Sequence, residues 1–278
     1  MGTLLCGTSS WSEKSWVGSF YPDQTQPRDF LGYYATQFPA VEADVTYYRI
    51  PSRSMVQGWR DRTPDDFRLC AKFPRSIVFG GDGPKPEGEK VLVPAHVQGD
   101  TEMFLDHMSG LGEKCGPLVM QFPYFNKQAF ESPAPFLDRL HAYLESLPRD
   151  FRYAVEVRNK WWVNDKLLDV LRQFDVAFVL VELGYLPHPA DVAGKRNVVT
   201  SDFIYARLIG DRKAVDEKTK TFDKLVLDKG DSLDRWADLL QGLLEEVPAA
   251  YVFANNHFAG HGPATVRDLV SRVDDRSV

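Results

Sequence analysis

Cysteine is scarce in this 278-residue chain. Cys6, Cys70 and Cys115 are the three present, far apart and outside any Cys-x-x-Cys arrangement. Neither a disulfide framework nor a thiolate zinc site is expected from such usage, and a reducing cytoplasm fits it. Two of the thiols lie in apolar runs, where cysteine acts as a small buried hydrophobe. An excess of positive charge is also missing: 33 Lys and Arg stand against 39 Asp and Glu, a formal charge of −6. That balance disfavours a nucleic-acid binder, whose phosphate affinity comes from a basic surface. No apolar run reaches the roughly 20 residues of a bilayer span, and residues 1–10 lack a basic region followed by an apolar core. A soluble cytoplasmic protein with no membrane partner is the expectation. What is present, 44% hydrophobic and 26% charged residues, suits a globular chain with a sizeable core.

Short segments rich in β-branched and aromatic residues recur eight times, near Leu4–Thr8, Val41–Thr46, Phe67–Lys72, Pro117–Phe122, Tyr153–Arg158, Ala177–Glu182, Phe203–Leu208 and Tyr251–Asn255. Helical spacing follows most of them, clearest in Leu233, Trp236, Leu240, Leu243, Leu244 and Val247. The stretch Gly184–Val199 carries Pro187, Pro189 and Gly194 but no amphipathic stripe, so the sixth helix should be short or irregular. Eight alternations over this length predict a single (β/α)₈ TIM-type barrel domain; a doubly wound open sheet is the competitor. Side-chain alternation separates the two. Val41, Ala43 and Val45 share one face while Glu42, Asp44 and Thr46 share the other, and Tyr153–Arg158 repeats the pattern. Central strands of an open sheet are apolar on both faces, whereas a barrel strand can turn polar groups into the lumen near its end.

Extending the alternation gives an inward polar set: Glu42, Asp44, Thr46, Lys72, Gln121, Glu156, Arg158, Glu182, Arg207 and Asn255. Barrel enzymes place their chemistry at those C-terminal strand ends. A mutually paired buried ion is the plain alternative for any one of them. Glu42, Glu156 and Glu182 are the acid/base candidates. Arg158, two residues beyond Glu156 on the same face, should hold that carboxylate ionised. Glu182 has no neighbouring cation in sequence and so suggests a general acid. Substrate contacts are expected from Lys72, Arg158, Arg207, Thr46, Tyr48, Gln121, Asn255, Asn256, Trp11 and Trp162.

The six histidines include no His-x-x-x-His pair on one helix face and none at a predicted strand end, His257 and His261 falling in the loop after the eighth strand, so no metal ligand set is assigned and no cofactor is evident. The carboxylates leave Mg²⁺ or Mn²⁺ open. The loop Asn255–Pro263 offers backbone N–H groups at a helix start, and Gly210, Arg212 and Lys213 follow the seventh strand. Loops in those positions commonly cradle phosphate, which points to an anionic substrate; ordinary capping is the alternative. Aromatics on rim loops, Trp11, Trp16, Trp161 and Trp162, either stack on a ligand or pack a lid. Phe73–Gln98, the longest connection, reads as a mobile flap.

At these residues the chain also resembles a known family. Gly7-Thr8-Ser9-Ser10-Trp11, Trp16–Pro22, Glu42-Ala43-Asp44-Val45-Thr46-Tyr47-Tyr48, Ala154–Arg158 with Trp162, and Phe253–His257 are similar, in order, to the YecE-like family, domain of unknown function 72. The resemblance spans nearly the whole chain and implies a TIM-type barrel without an established activity. Two positions depart from the family pattern, Ser10 where glycine is usual and Asp44 where asparagine is usual. If Asp44 and Glu42 share the lumen, one carboxyl should titrate high or a cation must sit between them.

Three functions are compatible with this sequence. The first is an enzyme using carboxylate acid/base chemistry, a hydrolase or isomerase, on a small phosphorylated or carboxylated compound. The alternatives are a metal-dependent phosphodiesterase acting on nucleic acid and a non-catalytic ligand-binding barrel. Oligomeric state is not legible.

Overall fold

A computed structural model describes residues 2–276. Its eight strands are β1 (Thr3–Thr8), β2 (Ala40–Ala43), β3 (Arg68–Lys72), β4 (Cys115–Gln121), β5 (Tyr153–Glu156), β6 (Ala177–Leu183), β7 (Phe203–Gly210) and β8 (Ala249–Ala254). Each overlaps a segment expected from the sequence. All neighbours pair in parallel, in the order β1-β8-β7-β6-β5-β4-β3-β2. The eight principal helices are α1 (Phe30–Tyr34), α2 (Arg53–Asp61), α3 (Pro94–Met108), α4 (Pro133–Ser146), α5 (Asp165–Gln173), α6 (Pro189–Ala193), α7 (Gly230–Glu246) and α8 (Gly262–Asp275). One follows each strand, so the fold is the nearly closed (β/α)₈ barrel that the alternation predicted.

Two apolar layers hold it. Inside the lumen lie Ala40, Cys70, Val119, Ala154, Val179, Tyr205, Tyr251 and Phe253. Between strands and helices lies a larger layer into which α7 sends Leu233, Trp236, Leu240, Leu243 and Leu244 from one stripe. Burying each such leucine contributes roughly 1.5–3 kcal/mol. The sixth helix is five residues long, because Pro189 starts it and no apolar stripe extends it.

Two seams interrupt the ladder. β5 and β6 share only the pairs Ala154↔Ala177 and Val155↔Phe178. Among the described residues no ladder joins β1 to β2 at all. The barrel is therefore two four-stranded arcs, β6-β7-β8-β1 and β2-β3-β4-β5. At the open seam the backbones touch: a Cβ on Gly7 would stand 1.9 Å from the Ala40 carbonyl oxygen. Tyr34 stitches this contact from α1. Its buried hydroxyl accepts from the Thr8 N–H at 2.7 Å and donates to the Ala40 carbonyl at 3.2 Å, doing for the two edges what a ladder would.

Two expectations are corrected. The second strand stops at Ala43, and Asp44–Tyr47 turn into a 3-10 helix. Thr46 Oγ1 lies 2.9 Å from the Ala43 carbonyl oxygen and 2.7 Å from that of Lys72, a side-chain-to-backbone bond that competes with extended pairing. The long connection after β3 is not a free flap: Arg75 donates to the carbonyls of Gly81 and Gly83, and Arg139 donates to those of Gly88 and Val91.

Replacing Tyr34 by Phe leaves the Thr8 amide and the Ala40 carbonyl unpaired inside the seam. We expect a loss of about 1–3 kcal/mol, seen in urea denaturation as a lower midpoint with an unchanged slope.

Candidate functional site

Strand alternation carries Glu42, Lys72, Gln121, Glu156, Tyr205 and Arg207 to the upper lumen, at the C-terminal ends of β2, β3, β4, β5 and β7. Arg207, 1% exposed, is the hub. Its Nη2 donates to Glu42 Oε1 at 2.8 Å, and its Nη1 donates to Gln121 Oε1 at 2.8 Å and to Glu156 Oε2. Tyr205 donates its hydroxyl to Glu42 Oε2 at 2.8 Å, and Arg158 Nε donates to Glu156 Oε1 at 2.8 Å. Glu42 and Glu156 are wholly buried. The bonds from Arg207 and Tyr205 cross from one arc of the barrel to the other. Burial opposes the charge on Glu156, but Arg207 and Arg158 outweigh it and hold its pKa down at about 2. Burial likewise disfavours the charged Arg207, and Glu156 and Glu42 reverse that, raising its pKa.

Above this floor the charges are less firmly held. Lys72 is 9% exposed, and its nearest carboxylate is Glu42, with Nζ 3.6 Å from Oε1; among the described residues its Nζ makes no hydrogen bond. Burial and then Arg207 lower its pKa, against the pull of Glu42, Asp44 and Glu156. Asp44, half-buried beside it, moves the other way: burial raises its pKa, Lys72 opposes, and Glu42 adds to the rise. Both outcomes foreseen for the Glu42–Asp44 pair thus occur together, a neighbouring cation and an upward-shifted carboxyl. Arg158 keeps a quarter of its side chain exposed. Among the described residues, the buried hydroxyl of Ser9, just past β1, and the Nε of Arg207 have no hydrogen-bond partner.

A family model described as "Protein of unknown function DUF72" matches residues 5–278. The chain belongs to the DUF72 family. It is 33% identical over 156 residues to the UPF0759 protein YecE of Escherichia coli K12, a stretch covering 56% of this chain and 48% of that protein. The chain thus spans about half the length of the curated relatives it matches. A DUF72 family protein from Thermotoga maritima superposes with a TM-score of 0.70 at 24% identity, covering 99% of both chains. One from Enterococcus faecalis gives 0.69 at 18% identity, covering 98% of this chain and 96% of the other. These structural likenesses establish the shared barrel.

The DUF72 barrel does not gather every residue singled out in the sequence. Glu182 faces outward and is removed from the lumen set. On β6 it is Val179 and Val181 that point in, so Glu182 meets α7, accepting from Trp236 Nε1 and Ser232 Oγ at 2.7 Å each. Lys229 Nζ lies 3.9 Å from it and His188 Nε2 3.5 Å. Thr46 is spent on the backbone bonds that join β2 to β3. Asn255 caps the short helix Asn256–Ala259 by accepting from the His257 N–H at 3.0 Å. Asn256 Oδ1 accepts from Trp16 Nε1 at 3.2 Å and from the Gly262 N–H at 2.9 Å. Trp162 is packed among Phe125, Phe130 and Phe136, and Trp11 meets Trp59 edge-on. Tyr48 is 68% exposed on the rim. His261 caps α8 by accepting from the Ala264 N–H at 3.2 Å; burial and then Arg267 push its pKa down to about 4, keeping that nitrogen an acceptor.

Sequence reading passed over Tyr205 and Ser9. Tyr205 had a signal, since it alternates with Ile204 and Ala206 on the face of Arg207. Ser9 had only its place in the Gly7–Trp11 motif, just past β1. Among the described residues no three His, Cys, Asp or Glu side chains cluster as a metal site.

Arg207→Leu leaves two carboxylates buried without their shared cation and should cost about 3–5 kcal/mol. Glu156 titrates near 2 folded against an ordinary 4.5. Its contribution to stability is complete above pH 4.5 and lost as pH falls toward 2. Acid unfolding followed by circular dichroism should therefore show a smaller loss of stability across that window in Glu156→Gln than in the parent.

Proposed function

We propose that this DUF72 chain is an enzyme that takes a small anionic compound, phosphorylated or carboxylated, into the barrel mouth. In this reading Lys72 and Arg158 hold the anion, and Asp44 exchanges a proton with it. The observation that carries the reading is Lys72: an ammonium withdrawn from water at a C-terminal strand end, with no hydrogen bond, beside a carboxyl whose pKa is driven upward. Environments that push an acid and a base toward neutrality are what proton-transfer chemistry requires. Glu42 and Glu156 then serve as positioning residues. Each of their oxygens already accepts from Arg207, Arg158 or Tyr205, and a carboxylate with a pKa near 2, such as Glu156, is a poor base. Hydrolysis or isomerisation of a sugar-like phosphate or carboxylate is the reaction class. That same pairing favours a second reading, a barrel that binds the anion without turnover.

A thermal-shift screen with sugar phosphates, nucleotides and carboxylic acids tests the site. A ligand at 100 times its dissociation constant stabilises the fold by about 2.7 kcal/mol. Lys72→Gln should abolish the shift given by the best ligand. Binding by the parent should weaken as pH rises through the lowered Lys72 pKa, and Lys72→Arg should move that weakening to higher pH. No shift with any compound overturns the reading; a shift with no turnover of the bound compound selects the second.

A further inference from the structure

The seam between β5 and β6 holds more than a gap in the ladder. β5 ends at Glu156 while β6 continues to Leu183, and beyond Phe178 the ladder of β6 runs to β7 alone. The strands part toward their C-terminal ends, and a cavity of about 370 Å³ occupies the divergence, roofed by α6 and by the segment 160–164 that leads into α5. That size falls within the range of small-molecule sites, roughly 300–1,000 Å³. Its wall is apolar, formed by Val157, Phe178, Leu180 and Val192.

Its rim has the opposite character. Lys160, Lys195 and Arg196 stand around the opening. Among the described residues neither lysine forms an ion pair, and Arg196 Nε is buried without a hydrogen-bond acceptor, the nearest carboxylate oxygen being Asp165 Oδ1 at 3.4 Å. The one acid on the rim, Asp191, is engaged by Arg235 at 2.6 Å. Trp161 is 81% exposed there, with Lys160 Nζ 4.6 Å over its ring.

We propose that this cleft is a second ligand site, separate from the mouth, for an amphipathic monocarboxylate. The apolar tail enters between the parted strands and the carboxylate meets Lys195 and Arg196. An apolar wall rewards a hydrocarbon body, and a cationic rim with unspent donors rewards one negative head. A neutral molecule of the same shape leaves the rim lysines without a counter-charge, and a polyanion has no place in the wall. Val157 lies between Glu156 and Arg158 in sequence, so the occupant sits beside the segment that leaves β5 and carries Arg158.

The test uses the full chain and the fluorescent aromatic anion 1-anilinonaphthalene-8-sulfonate, displaced by octanoate or by 1-octanol. Octanoate should displace the probe at a concentration at least about tenfold below that of octanol. Lys195→Gln with Arg196→Gln should erase that preference, and Val192→Trp, which fills the cavity, should reduce probe binding, both with thermal melting near that of the parent. Lys72→Gln, a change confined to the mouth, should leave octanoate displacement unaltered whether or not the mouth binds its own anion. Equal potency of octanoate and octanol in the parent overturns the proposal, as does a loss of octanoate displacement in Lys72→Gln or undiminished probe binding in a folded Val192→Trp.

Discussion

A guanidinium carried into the centre of a barrel loses its hydration, a cost of several kcal/mol that only well-placed acceptors offset. Arg207 finds three, Glu42, Gln121 and Glu156, and all of them belong to the arc of strands opposite its own. The rest of the upper barrel follows from that requirement. With one seam lacking a ladder and the other holding two residue pairs, backbone bonding alone joins the arcs weakly. The ion cluster spans the lumen between them, and Tyr205 repeats the crossing one layer below with a bond to Glu42. Removing either partner strands the other, so the arrangement is all or nothing. Such an interior is rigid because each oxygen of both glutamates already accepts a hydrogen bond.

This rigidity divides the polar set by task. Glu42 and Glu156 are fully buried and fully bonded, so they fix charge in place. Lys72 and Asp44 are held by burial and by each other's proximity, with fewer bonds, and their protons are correspondingly easier to move. A sequence shows which residues are ionisable but not how many of their hydrogen bonds are spent. For that reason alternation placed Glu42, Asp44, Lys72 and Glu156 in one inward set without separating the fully bonded glutamates from the less bonded Lys72 and Asp44.

The strands were legible because each arc strand has one plainly apolar face. Where that contrast is sharp, as in Val41–Ala43, Tyr153–Glu156 and Ile204–Leu208, alternation assigned the inner face correctly. It failed on β6, whose Val179-Leu180-Val181 run is apolar on both sides, and Glu182 was sent inward when the outer face received it. It also failed past Ala43, where Thr46 trades extended pairing for bonds to two carbonyls. The amides of Asn255 and Asn256 illustrate a different limit. A capping amide and a ligand-binding amide have the same sequence signature, and only the positions of the His257 and Gly262 N–H groups tell them apart.

Asp44 ties these threads together. The resemblance to the family leads one to expect an amide at this position, which would donate and accept without changing charge. A carboxyl there instead faces Lys72 under the field of Glu42, and burial ensures that the field is not screened away. Arg207 offsets the extra charge less than Lys72 does, its two terminal nitrogens being already bonded to Gln121 and the two glutamates. The remainder falls to Lys72 or to a proton, and in the proposed function an anion entering the mouth competes for the same lysine. Under the proposed function, an anion held by Lys72 would weaken that lysine's pull on Asp44 and favour protonation of the carboxyl, coupling occupancy of the mouth to the state of its acid.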